Sequence, residues 1–254
     1  IDALAGKDNI ELTVVLSSAV LMEEFGNAKT YIKDDFKEAK VRFVQLKINY
    51  ADRSPLGMVK ASGEILREFG VFFSSVPLDS IIVCADRFET LPCAIAASYL
   101  NIPLIHLQGG EITGNIDEKI RHAVSMLADY HYVSTDLAAI YLGSRMGQNL
   151  FENKGRVIKT GCPGLDLITG NGIRRSISKH RYIICIFHPE TEHLEEAVEQ
   201  TNLLIESVLW YCKAYGHACY WQFPNPDPGR EEIAALIESA ALRSPEYIRK
   251  EINR

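Results

Sequence analysis

No stretch of this sequence approaches the roughly 20 apolar residues that a membrane-spanning helix needs, so no membrane partner is expected. It also has no block of basic residues. Its 27 Lys+Arg are outnumbered by 33 Asp+Glu, for a net charge of -6. A nucleic-acid surface neutralises phosphates with clustered cations, so nucleic acid is not an expected partner. A single basic pocket for one small phosphorylated ligand remains open.

Six cysteines (Cys84, Cys93, Cys162, Cys185, Cys212 and Cys219) include no Cys-x-x-Cys, and several sit in apolar runs. Reduced, buried thiols are expected rather than a disulfide frame or a zinc site. The segment Ile1 to Asp8 has neither the basic start nor the apolar centre of a signal peptide, and no Asn-x-Ser/Thr sequon occurs, as suits a cytoplasmic address. There is no Gly-x-x-x-x-Gly-Lys-Ser/Thr phosphate loop, no Gly-x-Gly-x-x-Gly fingerprint, no Gly-x-Ser-x-Gly elbow and no Asp-x-Asp pair. Those motifs would mark phosphate, dinucleotide, nucleophilic-serine and metal–diphosphate chemistry. Acid–base work by carboxylates and a histidine remains, with neither metal nor redox cofactor.

What is present is a chain of 254 residues, 47% hydrophobic, about twice the common domain size. Short β-branched runs alternate with helical patterns. Strands are predicted at 11–16, 41–48, 80–84, 102–107, 130–133 and 156–160, with helices such as 58–69 and 91–100 between them. Continuous apolar strands separated by helices indicate a parallel sheet covered on both faces, a doubly wound α/β fold. The Gly-, Ser- and base-rich stretch Ile168 to His180 breaks the rhythm and is read as a join, giving domains at 1–170 and 178–254. After it come a strand at 182–187, a helix at 192–215, a strand at 217–223 and a helix at 229–239. A second domain with so few strands reads as incomplete.

Open parallel sheets bind ligands beyond the carboxyl ends of their strands. Those positions hold Asp86-Arg87, Gln108-Gly109-Gly110-Glu111, His188-Pro189 and Pro224-Asn225 with Asp227 close behind. Asp86-Arg87 reads either as a solvated ion pair or as a carboxylate beside a phosphate-holding guanidinium. Gly109-Gly110 is either a tight turn or a close backbone approach to an anion. Asn115 to Glu118 fits a capping box, followed by the stripe Ile116, Ile120, Val124 and Leu127. Asp117 with Arg121, and Glu118 with His122, are spaced for helix-surface pairing. His188, ending an apolar strand, is the more suggestive histidine, and His106 reads as a satisfied core residue.

The run from Ile105 to His122 resembles the signature of hydrolysing UDP-N-acetylglucosamine 2-epimerases of the sialic-acid pathway. Ala85 to Phe88, Gly161-Cys162-Pro163 with Asp166, Phe187 to Pro189 and Pro224 to Gly229 match in the family's order. The resemblance implies two Rossmann-like domains of glycosyltransferase-B-like fold, with a UDP-sugar as ligand, no cofactor, and a homo-dimer or tetramer. It implies elimination of UDP across C1–C2 to a 2-acetamidoglucal, then addition of water to give N-acetylmannosamine. Asp86 and Asp117 match family carboxylates implicated in catalysis, and His188 matches the active-site histidine. Arg87 and Asn225 match nucleotide contacts, and Asp166 a further acidic position in the substrate site.

The sequence also departs from the family. Gln108 stands where several members carry a catalytic glutamate, and Glu111 is the nearest substitute; both are counted among the site residues. Ala85 replaces a common glycine. The chain starts after the family's opening strand and Gly-Thr-Arg loop, and nothing after Asp227 matches its late Gly-Asn-Ser-Ser loop, so whether it is a fragment stays open. Two alternatives stand beside the enzyme: a 2-epimerase of a UDP-diacetamido sugar, and a nucleotide-sugar-binding protein without turnover. A glycosyltransferase on the same fold would instead require an acceptor sugar.

Overall fold

The computed structural model describes residues 1–254 except 24–27, 38–39, 49–51, 53, 147–155, 171–180, 189, 191–192, 226–227 and 252–254. Contacts group the chain into two compact units, one of residues 58–176 and one of residues 1–57 with 177–254. Most of the expected join, and both Pro189 and Asp227, lie outside the described residues.

Residues 1–57 contribute helix α1 (Asp2–Ala5), strand β1 (Leu12–Ser17), helix α2 (Ala28–Asp35) and strand β2 (Val41–Leu46). β1 and β2 pair in parallel, Leu12 opposite Val41. Their β-branched residues suit a half-buried pleated surface.

Helix α3 (Pro55–Ser75) leads into the second unit, where β3 (Ile81–Cys84), β4 (Leu104–Leu107), β5 (Tyr130–Val133) and β6 (Val157–Lys159) form one parallel sheet in that order. Between them run α4 (Thr90–Tyr99), α5 (Ile116–Leu127) and α6 (Asp136–Arg145), and α7 (Pro163–Gly170) follows. Parallel neighbours demand crossovers, and a helix is the usual one. Asn115 caps α5, its side chain accepting from the Glu118 N–H at 3.3 Å. Glu118 reaches past the cap to the N–H groups of Thr113 and Gly114, both at 2.6 Å. The box is therefore one residue or two wider than its usual form. Those two donors, first of all, hold the Glu118 carboxyl below its ordinary range.

The sequence reading omitted α6 and α7. Both carried start signals: the Thr135 hydroxyl accepts from the Ala138 N–H at 3.1 Å as an N-cap, and Pro163 opens α7 at the first helical position.

In the C-terminal part, β7 (Tyr182–Ile186), β8 (Ala218–Gln222) and β9 (Ile248–Glu251) form a parallel sheet, crossed by α8 (Leu194–Tyr215) and α9 (Arg230–Arg243). Cys219 and Trp221 on one face of β8 join Ile205, Val208, Ile233, Ile237 and Ile248 in a buried cluster. β9 was not anticipated: its sequence Ile-Arg-Lys-Glu lacks the apolar run that betrays a buried strand. No helix among the described residues is long and apolar enough to cross a membrane.

All six cysteines are free thiols, but the expectation that they are buried holds for four; Cys84 is exposed and Cys162 half-buried. Both stand at the carboxyl end of the four-stranded sheet.

On α6, Leu142 is fully buried with Val133 and Ala138, whereas Leu137 is 78% exposed. Leu142→Ala is expected to lower the unfolding free energy by about 2–5 kcal/mol, and Leu137→Ala by less than about 0.5 kcal/mol, as measured by denaturant titration.

Candidate functional site

The strands of the four-stranded sheet end level with one another, and two of them leave by the same unusual turn. Ala85 after β3 and Gln108 after β4 both have left-handed backbones, with φ of 59° and 61°. Each N–H still reaches the neighbouring strand, Ala85 to the Leu107 carbonyl at 3.0 Å and Gln108 to the Tyr132 carbonyl at 2.8 Å. Side chains with a Cβ avoid this region at a cost of roughly 1–2 kcal/mol, which rationalises the family's glycine where Ala85 stands. The turns lift the next residues, Asp86 and Gly109, off the sheet.

The two glycines after β4 are required for different reasons. A Cβ on Gly109 would lie 2.8 Å from His106 Nδ1 and Ser125 Oγ. Gly110 has φ of 85°, and a Cβ there would lie 2.7 Å from the Ala138 carbonyl oxygen. The loop is thus pressed onto α5 and α6, which carries Glu111 to the start of α6. There the Thr135 hydroxyl donates to Glu111 Oε1 at 3.2 Å.

Asp86 is held from α5. The Arg121 Nε donates to its Oδ2 at 2.8 Å, and Nη2 donates to the same oxygen. Arg121, at 5% exposure, thus reaches across the sheet, while the other pairing expected on this helix, Glu118 with His122, is present at 3.5 Å. Arg87, in turn, donates through Nε and Nη2 to Glu89, at 3.1 and 3.4 Å. The reading of Asp86-Arg87 as a local ion pair is therefore replaced by two separate pairings.

Gln108 lies between two thiols. Cys84 Sγ donates to its Oε1 and its Nε2 donates to Cys162 Sγ, each at 3.2 Å. Although Cys84 is exposed as a residue, partial loss of water around its sulfur, followed by the nearby Asp86 carboxylate, raises its thiol above the ordinary range. Asp117 sits in the first turn of α5, half-buried, and Asp166 in the first turn of α7, exposed. Asp86, Arg87, Gln108, Glu111, Asp117 and Asp166 thus all belong to the loops and helix starts beyond the strand ends of one unit.

His188 and Asn225 belong to the other unit. They follow β7 and β8, and the Asn225 N–H donates to His188 Nδ1 at 3.2 Å. A ring nitrogen that accepts carries no proton, so neutral His188 holds its hydrogen on Nε2. Arg230 Nε donates to the Pro224 carbonyl at 3.2 Å and ties this loop to α9.

Beneath the strand ends, His106 and His131 lie opposite each other on β4 and β5, both buried. His106 is satisfied as expected, with Nδ1 on Ser125 Oγ at 3.0 Å and Nε2 on the Ala85 carbonyl at 2.9 Å. Burial lowers both rings; for His131, burial, then His106, brings it to about 4, opposed by Asp129. Between that value and the ordinary ~6.5, the unfolded chain binds a proton that folded His131 refuses. Stability is therefore expected to fall as pH drops from about 6.5 to about 4. His131→Gln should flatten that slope in denaturant titrations run across the window, with His106 maintaining the remainder.

The sequence model of the family described as UDP-N-acetylglucosamine 2-epimerase matches residues 2–248. The chain is 31% identical over 241 residues to a Legionella pneumophila protein named UDP-N,N'-diacetylbacillosamine 2-epimerase (hydrolyzing), covering 91% of this chain and 60% of that one. It is also 31% identical over 249 residues to the Escherichia coli polysialic acid biosynthesis protein P7, covering 90% of this chain and 58% of that one. The chain thus spans about three-fifths of the length of these relatives. Among solved structures, the UDP-GlcNAc 2-epimerase of Methanocaldococcus jannaschii superposes with a TM-score of 0.64 at 15% identity, covering 96% of this chain and 74% of that one. The α/β architecture with parallel sheets is that of the glycosyltransferase-B-like epimerases. With a match running through nearly every described element, the chain belongs to the UDP-N-acetylglucosamine 2-epimerase family.

Proposed function

We propose that this chain carries the acid–base half of a hydrolysing 2-epimerase acting on a UDP-linked 2-acetamido sugar. The observation that carries the reading is the Asp86 carboxylate, standing past a strand end with Oδ2 tied to Arg121 and no hydrogen bond at Oδ1 among the described residues. A carboxylate oxygen that is fixed in place yet unspent is what proton abstraction from a sugar carbon requires.

The C2 proton of the sugar is not beside a carbonyl, so its removal must accompany departure of UDP from C1. Asp86 takes that proton, and the carboxylates Asp117 and Glu111, from the same unit's loops and helix starts, offset the positive charge growing at C1. The glucal so formed then takes up water, a hydroxyl at C1 and a proton at C2, returning the epimeric 2-acetamido sugar and free UDP. Arg87 serves the departing diphosphate through its guanidinium fork. In the other unit, His188 keeps its Nε2 hydrogen available for a ligand oxygen while Asn225 holds Nδ1.

Two sugars fit the relatives' names. One relative at 31% identity is named for UDP-N,N'-diacetylbacillosamine, and a Neisseria meningitidis relative at 25% for UDP-N-acetylglucosamine. Incubating the full-length protein with each and following free UDP is expected to give release from one or both. Asp86→Asn should lower kcat by roughly 10²–10⁴-fold. No release from either sugar overturns the proposal.

One observation favours a second reading, a nucleotide-sugar-binding protein without turnover. Gln108 spends both ends of its amide on thiols and cannot exchange protons there. On that reading calorimetry detects UDP binding with no product over hours, and Gln108→Glu confers turnover. On the first reading Gln108→Glu changes an existing rate.

A further inference from the structure

Arg121 is a buried charge engaged on every side-chain nitrogen. Its Nε and Nη2 both donate to Asp86 Oδ2, its Nη1 donates to the Glu111 carbonyl at 2.6 Å, and the same Nη1 lies 3.4 Å from the Thr113 hydroxyl. One group on α5 therefore binds the end of β3 and two points of the loop after β4. A guanidinium removed from water is strongly destabilising unless paired, and this one is paired on every nitrogen.

The arrangement differs from that of a purely structural ion pair. Arg–carboxylate pairs commonly use both carboxylate oxygens in parallel. Here both donors converge on one oxygen and leave the other without a hydrogen bond among the described residues. The two partners also differ in exposure: the Arg121 side chain is 6% exposed and that of Asp86 23%. The cation is withdrawn into the unit while the carboxylate reaches the surface. Asp86 is steadied from behind as well, since His106 Nε2 lies 2.9 Å from the Ala85 carbonyl just before it.

We infer that Arg121 is a positioning residue, which aims Asp86 Oδ1 at the sugar. The inference rests on the 2-epimerase reading, because it takes Asp86 as the proton acceptor. Arg121 acts through Asp86 and makes no contact with substrate. Lysine at this position would keep the charge and lose the fork, so the carboxylate would be attracted but no longer aimed. Misplacement of a reacting group by about an ångström costs on the order of 10²-fold in rate.

The test uses the full-length protein and UDP release. Arg121→Lys is expected to lower kcat by roughly 10–100-fold, with KM and calorimetric UDP affinity within about twofold of wild type. In the Asp86→Asn background the same substitution should cause no further fall, because the group it aims is already gone. Unchanged kcat in Arg121→Lys, a loss of UDP affinity matching the loss of rate, or an undiminished second fall in the double variant overturns the inference. If Arg121→Lys does not fold by near-ultraviolet circular dichroism, Arg121→Gln is placed in the Asp86→Asn background, where there is no carboxylate charge to balance. It should match Asp86→Asn alone, and a further fall in kcat again overturns the inference. If wild-type protein releases no UDP from any sugar, the 2-epimerase reading fails separately. The coupling is then read in denaturant titrations, where the double variant should be no less stable than the weaker single variant, and additive losses would refute it.

Discussion

A charge that leaves water has to be met on all sides, and Arg121 shows how much that requirement organises. Its guanidinium is buried against Asp86 on one side and the Glu111 carbonyl on the other. Satisfying it fixes the end of β3, the loop after β4 and the start of α5 in one constellation. The carboxylates proposed for chemistry sit on that constellation, so their positions follow from a need to pair a cation.

The backbone cooperates with this arrangement. Ala85 and Gln108 both take left-handed turns while keeping their ladder hydrogen bonds, and Gly109 and Gly110 let the loop press onto α5 and α6. Strained turns of this kind persist only where the surroundings over-determine them. Here a sheet below, two helices beside and a buried ion pair above do so. The buried histidines contribute to the same end, His106 steadying the Ala85 carbonyl that precedes Asp86.

Much of the fold was legible because parallel strands write themselves as apolar runs. The strands read at 80–84, 102–107, 130–133 and 156–160 each contain the observed ones. The misses have local reasons. Helix α6 is only ten residues long and exposes Leu137 and Ile140, so its apolar residues do not mark one face. Strand β9 is charged, and packing of Ile248 into the α8–α9 cluster, rather than propensity, holds it in the sheet. At the site, the residue types and their places after strands could be read directly. Their partners could not: Asp86 finds Arg121 thirty-five residues away, and Gln108 finds Cys162 fifty-four residues away.

What the sequence determined by itself was the alternation of strand and helix, the capping of α5 by Asn115, the family signature from Ile105 to His122, and the polar residues waiting after each strand. These are encoded locally, in periodicity, capping chemistry and the hand of a turn. Tertiary structure alone decided which charge pairs with which, that Cys84 and Cys162 flank an amide, and that His131 stays neutral in the core. Those outcomes depend on which strands become neighbours and in what register, and on how much water burial removes, quantities that exist only once the chain has closed on itself.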